Sequence, residues 1–262
     1  MFYSDNLKKN SDIQHCFFSR KNGISTDIYK SLNCGIGSRD NKKNVNKNLD
    51  IVSNIFKIEK KNLILMNQTH GNKVKIIETN NNFNRVNCDA MLTKKNSLAL
   101  CVLTADCIPI LIYEKYNKII GCIHAGWKGA LNEIIENTLE KLKEMGGNQK
   151  NLIVSIGPCI SKENYEVKND FYLEFSKKSK NSEQFFSKNN KNTFNFDLRA
   201  FVNSKFKNFN IQKIDNILID SFSNENEYFS FRRASKLGQQ DYGRCISVIK
   251  KIWFTKLIEN FN

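Results

Sequence analysis

Residues 98–145 read LALCVLTADCIPILIYEKYNKIIGCIHAGWKGALNEIIENTLEKLKEM. Three apolar runs, 98–104, 108–114 and 118–124, are separated by short polar turns, which predicts three consecutive β-strands. A Gly-rich turn, HAGWKG, follows the third run. Beyond it, Leu131, Ile134, Ile135, Leu139 and Leu142 recur at helical spacing and Gly146-Gly147 closes the segment, predicting a helix from Gly129 to Met145.

Outward from this centre the same patterns repeat less sharply. Val45, Leu49, Val52 and Phe56 predict a helix over about 43–57, and NLILMNQ (62–68), KVKIIE (73–78) and NLIVSIG (151–157) read as strands. A helix is expected around Asp170 to Phe175, and the Lys/Asn-rich stretch 176–193 reads as a surface loop or frayed helix. The last third supplies a helix near Leu198 to Phe206, a strand at NILID (216–220) and a terminal strand over 244–254. Strands and helices mix without strict βαβ alternation, so the fold class is mixed α/β or α+β. Two prolines and no Pro/Gly/Ser-rich linker leave no domain boundary, and residues 1–262 are read as a single domain.

Composition narrows the function classes. The formal charge of +15 first suggests a nucleic-acid partner. The excess, however, is 34 Lys against 7 Arg, scattered with Asn through loops such as 41–48 and 177–192. That distribution fits a solvated surface, and a nucleic-acid partner is not expected. The eight cysteines form no CxxC pair and sit mostly in apolar runs, the pattern of buried reduced thiols. No apolar stretch approaches 18 residues and the N-terminus has no long apolar region, so the expectation is a cytoplasmic protein with no membrane partner.

Three turns after apolar runs carry the reactive side chains: NQTHG with His70, TADC with Cys107 and IHAGWKG with His124. Two histidines and a cysteine at strand ends suit a transition metal with an open fourth position, but they equally describe a nucleophile with its base or buried bystanders. The chain has three histidines in all, and both outside the N-terminal stretch occupy Gly-flanked turns, which favours function. The Gly-rich turn before the helix would present free N–H groups to an anion, or simply reverse the chain. Near the C-terminus, Arg232, Arg233 and Arg244 stand in a chain that otherwise uses Lys. Forked recognition of phosphate explains that choice, and so does a structural ion pair.

Taken in order, FFSRKNGIS, SLNCGIG, NQTHG, CDAMLT, TADCIPIL, IHAGWKG, IGPCIS, NYEV, FDLRAF, SNENEYFSFRR and the GR at 243–244 resemble the laccase-domain family, also called YfiH-type or polyphenol-oxidase-like, over about residues 16–250. The resemblance implies a single-domain layered αββα sandwich with mixed β-sheets. It implies one Zn2+ per chain on His70, Cys107 and His124, which would also be the catalytic residues. It implies phosphorolysis of adenosine, inosine, guanosine or 5′-methylthioadenosine, together with deamination of adenosine. The implied partners are therefore purine nucleosides and inorganic phosphate, in a monomer or homodimer. Arg20, Asn33, Arg232 and Arg233 match polar family motifs and are the candidates for substrate or phosphate contacts; Asp89 and Asp106 are candidates for orienting the ligands, the safer reading, or for catalysis.

Two departures stand out. The family's usual R.GG.S is RKNGIS here, with Asn22 in place of the first Gly, and Asp220-Ser221 stands where many members carry Cys-Thr. Three alternatives accompany the phosphorylase expectation. One is a copper oxidase of phenols, with Met66 or Met91 as axial ligand. The others are a zinc amidohydrolase acting on a cell-wall precursor and a non-enzymatic metal- or nucleotide-binding protein.

Overall fold

The computed structural model describes residues 1–79 and 85–252. Its centre is the quoted stretch. Ala99–Thr104 belongs to one sheet, while Ile108–Glu114 and Ile119–Ala125 pair antiparallel in another. The chain passes between the sheets in Ala105, Asp106 and Cys107 alone.

The larger sheet has six strands in the order Lys213–Asn216, Leu152–Ile156, Ile108–Glu114, Ile119–Ala125, Ala90–Thr93 and Val74–Ile76. Its two outermost pairs are parallel and the inner pairs antiparallel. The smaller sheet runs Ile13–Phe17, Cys245–Lys251, Ala99–Thr104 and Leu63–Leu65, with only the last pair parallel. A separate three-stranded antiparallel sheet joins Phe186–Lys188, Thr193–Phe196 and Glu166–Lys168.

Side chains alternate across each strand, so each main sheet contributes to two cores. Leu100 and Val102 face Leu111, Tyr113, Ile120 and Cys122 between the sheets. Their neighbours Ala99 and Cys101 face Leu49 and Val52 of the helix Lys42–Ile55 and Phe56 at its C-terminal cap. On the far side, Ile108, Ile110 and Ile112 meet Ile134, Ile135 and Leu139 of Ile134–Glu144 and Phe201 and Val202 of Leu198–Asn208. Helix, sheet, sheet and helices stack in the expected αββα order. With both faces covered, these strands read as continuous apolar runs rather than alternating ones.

Several expected elements shift. The helix expected over 129–145 is two: Trp127–Leu131 and Ile134–Glu144, broken at Glu133 with φ 73°. Gly129 explains the first piece, since a Cβ there would meet the Gly71 carbonyl oxygen at 2.8 Å. The short helix is thus pressed against the loop that carries His70. The strand expected at 216–220 lies at Lys213–Asn216. Residues 176–193 are neither loop nor frayed helix throughout. Asn169–Lys178 is helical, and Phe186–Lys188 is a strand drawn in by stacking of Phe186 on Phe196, centroids 4.7 Å apart. The terminal strand is Cys245–Lys251; Trp253 and Phe254 lie outside the described residues. Among the described residues no helix is long and apolar enough to cross a membrane.

Candidate metal centre

His70, Cys107 and His124 come together although their nearest neighbours in sequence are 17 residues apart, 107 to 124. Their donor atoms all lie within 4.8 Å of one another. Each is delivered by a different piece of the scaffold. His124 sits in Ile119–Ala125, paired with Pro109 across the antiparallel ladder. Cys107 closes the three-residue crossing between the sheets. His70 lies in the loop after Leu63–Leu65, with φ 58°.

That loop is held by side chains that imitate backbone. The Gln68 amide donates to the Leu103 carbonyl at 2.7 Å and accepts from the Leu103 N–H at 2.9 Å, carrying the parallel pairing past the end of the strand. The Asp89 carboxylate takes the backbone N–H of Thr69, His70 and Gly71 at 2.9–3.1 Å and the Thr69 hydroxyl at 2.8 Å. It also bonds Nδ1 of His124 at 2.8 Å. One fully buried carboxylate therefore positions two of the three donors. Bonding Nδ1 to a carboxylate leaves Nε2 of His124 for the centre, the arrangement that metal-ligating histidines adopt. The two imidazoles meet edge to face, centroids 4.7 Å apart.

Charge follows geometry. Burial alone would push the Cys107 thiol up, but the imidazoles of His124 and His70 outweigh it and bring the thiol down to about 6. Burial works against a charged His124, yet Cys107 and Asp89 together raise it to about 9. Asp89 is lowered: its desolvation is outweighed by the hydrogen bonds from His124, Gly71 and Thr69. A thiolate and oriented imidazoles are what a metal ion requires of its ligands. Gly126 leaves the space: a Cβ there would stand 3.1 Å from both the Cys107 Sγ and the His70 Cδ2. The group could hold a metal ion, and no other His/Cys/Asp/Glu cluster of that kind occurs among the described residues. The other seven cysteines are buried and behave as core; Cys122, two residues before His124, is fully buried between the sheets.

The three side chains open on a cavity of about 200 Å3 that is also lined by Gly35, Gly37, Met66, Arg85, Tyr242 and Arg244. Met91, by contrast, is packed in the core between the sheets. Asp106, beside Cys107, has φ 86° and accepts from the Ser221 and Ser230 hydroxyls and the Arg232 N–H at 2.6–2.9 Å. It pins the crossing to the C-terminal third. Burial raises its pKa against those hydrogen bonds.

The expected substrate contacts are placed elsewhere. Asn33 is fully buried: its amide donates to Ser38 and Asp40 and accepts from the N–H groups of Gly35 and Arg244. Arg20 donates to the carbonyls of Lys30, Glu225 and Ile28, and Arg233 to those of Ser221, Phe222 and Tyr228. Both line a second cavity of about 220 Å3, which shares Tyr242 with the first. Arg232 donates to the Glu166 carbonyl at 2.7 Å and lies over the Tyr165 ring. None of these four lines the cavity at His70, Cys107 and His124. Gln68 and Gly126 also belong to the site, carried by the NQTHG and HAGWKG turns, and Arg244, one of the three C-terminal arginines singled out for forked geometry, is the one that reaches this cavity.

Both departures have physical explanations. Asn22 has φ 67°, the left-handed region that Gly adopts freely and Asn tolerates best among the other residues, so the turn is kept. The Asp220 carboxylate accepts from the N–H groups of Ser161, Phe222 and Ser223 and from the Asn164 amide, tying two loops together.

Residues 14–252 match the family described as multi-copper polyphenol oxidoreductase laccase. A purine nucleoside phosphorylase of Rickettsia conorii is 36% identical over 239 residues, 90% of this chain and 95% of that protein. A purine nucleoside phosphorylase of Corynebacterium glutamicum is 30% identical, over 88% of this chain and 94% of that one. The crystal structure of a Neisseria meningitidis protein superposes with a TM-score of 0.84 at 24% identity, covering 93% of this chain and 96% of that chain, a likeness of fold.

Proposed function

The chain belongs to the multi-copper polyphenol oxidoreductase laccase family, and from that premise we propose that it is a zinc-dependent purine nucleoside phosphorylase. The observation that carries the reading is the convergence of His70, Cys107 and His124 on an arginine-lined cavity. Relatives covering nearly the whole chain bear the phosphorylase name. Adenosine, inosine, guanosine and 5′-methylthioadenosine are the proposed nucleosides, with deamination of adenosine as a second activity of the same centre.

Two imidazoles and a thiolate are zinc's ordinary ligands, and three of them leave a fourth position for a reactant. When bound, zinc supplies Lewis acidity beside the cavity, polarising an oxygen of phosphate or water. In phosphorolysis, a phosphate oxygen forms a bond to C1′ as the C1′–N9 bond breaks. The electron pair leaves with the purine, which takes up a proton, and the sugar departs as its 1-phosphate. Deamination adds water at the purine carbon bearing the amine and releases ammonia. Asp89 holds the His124 tautomer, and Gln68 and Asp89 hold the His70 loop, so the ligands are set in place before substrate binds.

Despite the family's description, a multi-copper oxidase is disfavoured. The chain has three histidines, and His15 is committed elsewhere, accepting from the Ser4 N–H at 2.8 Å.

The test is incubation of zinc-loaded protein with adenosine, with and without phosphate. Free adenine and ribose 1-phosphate support phosphorolysis, and inosine supports deamination. If neither product forms, the purine reading is wrong. Cys107→Ala is expected to abolish both metal binding and turnover.

A further inference from the structure

We propose that Arg244 is the oxyanion subsite of the metal cavity, gripping the phosphate that attacks the nucleoside; the inference rests on the phosphorylase reading above. Arg244 lines the cavity with His70, Cys107 and His124. Its position is over-determined. Its backbone N–H donates to the Asn33 amide oxygen at 2.9 Å, and its guanidinium lies 4.0 Å from the Tyr242 ring centroid. Nη1 donates to the Tyr242 carbonyl at 2.6 Å and to Asp241 at 3.2 Å. Gly35 makes room for the stem, because a Cβ there would stand 2.5 Å from the Arg244 Cδ.

Among the described residues, every hydrogen bond of the guanidinium falls on Nη1, and Nε and Nη2 of Arg244 have no hydrogen-bond partner. Those two N–H groups share one edge of the guanidinium fork, the edge that grips two oxygens of a phosphate side by side. Asp241 pairs with Nη1 at 3.2 Å through one carboxylate oxygen, while its other oxygen accepts from the Tyr29 hydroxyl and the Arg39 N–H; the pair offsets part of the charge but leaves the Nε and Nη2 edge open. Exposed Arg85 adds a second positive charge to the same cavity. Arg20 and Arg233, by contrast, bind protein carbonyls through the fork and line the other cavity. Two phosphate oxygens held by Arg244 leave a third to form the bond to C1′.

The test compares wild type, Arg244→Gln and Arg244→Lys, each zinc-loaded. Phosphorolysis of inosine is followed against phosphate concentration, and inorganic phosphate binding is measured by calorimetry without nucleoside. Losing a bidentate charge-assisted pair is expected to raise the phosphate KM about 10- to 100-fold in Arg244→Gln, with nucleoside KM within about twofold. Arg244→Lys, which keeps stem and charge but not the fork, covers the case in which the Gln variant does not fold. A phosphate KM raised about fivefold or more in the Lys variant supports the subsite. An unchanged phosphate KM and unchanged phosphate binding in a folded variant overturn it. If wild type performs no phosphorolysis, the phosphorylase reading fails; calorimetry still decides the subsite, because wild type then binds phosphate through Arg244 or does not.

Discussion

Asp89 and His124 are joined twice: the Asp89 carboxylate bonds Nδ1 of His124 at 2.8 Å, and the Asp89 carbonyl accepts the His124 backbone N–H at 2.7 Å. The same carboxylate oxygen takes the His70 N–H at 2.9 Å. One acidic residue outside the ligand set thus fixes both histidines.

Asp89→Ala should therefore act on metal affinity and on folding together. Loss of such a partner is expected to weaken metal binding about 10- to 100-fold. The half-buried N–H groups of Thr69, His70 and Gly71 that it leaves unpaired should cost about 1–3 kcal/mol of stability. Competition titration with a zinc chelator and urea unfolding measure the two effects, and wild-type values in both would refute the role given to Asp89.

Gly126→Ala separates space from backbone strain. With φ −76° the backbone suits any residue, so stability should change by less than about 1 kcal/mol. The new methyl nevertheless falls 3.1 Å from the Cys107 Sγ and the His70 Cδ2. Metal affinity should drop about tenfold or more, by the same cost that overpacking brings to a filled core. Equal affinity in the variant would mean that the centre has slack on that side.

His15 gives a pH dependence remote from the centre. Burial lowers it to about 4, against a slight upward pull from Asp215. As pH falls, the unfolded chain takes up this proton first. The contribution is fully present above about 6.5 and is lost as pH falls to about 4, amounting to about 3 kcal/mol. Urea unfolding at pH 7 and pH 4.5 reads it. His15→Gln, which keeps an acceptor for the Ser4 N–H, should flatten the difference.

Removing metal should lower the unfolding midpoint. At a free zinc concentration about 100-fold above Kd, binding to the native state alone adds about 2.7 kcal/mol. For a chain of this length that is roughly 5–10 °C. Chelator should reverse the gain in wild type and have no effect on Cys107→Ala; an identical shift in both would place the metal elsewhere.

The sequence disclosed most where one periodicity served one environment. Val45, Leu49 and Val52 mark a helix because they share a face; all three are buried, and Leu49 and Val52 pack under the smaller sheet. The break at Glu133 was hidden because Leu131, Ile134 and Ile135 face the same core on either side of it. NILID looked like strand for its apolar content, yet the pairing lies in Lys213–Asn216 and Leu218 is 81% exposed. Ile13–Phe17 escaped notice because Gln14 and His15 interrupt its apolar run, although Ser247 to Lys251 pair with it residue for residue. At the centre, residue types were legible but their meeting was not, since convergence depends on sheet docking rather than spacing. The family resemblance supplied the triad, and nothing local distinguished Arg244 from Arg232 and Arg233.

The three-residue crossing at Ala105, Asp106 and Cys107 also has a kinetic meaning. His70 follows a strand of the smaller sheet and His124 ends a strand of the larger one, with Cys107 at the junction. Neither sheet alone contains the donor set, and His70 must meet Cys107 and His124 across a long stretch of chain, a non-local contact whose closure entropy is paid late in folding. Metal capture is then a terminal step: zinc should slow unfolding while leaving the refolding rate unchanged, and stopped-flow traces with and without zinc would expose an earlier association.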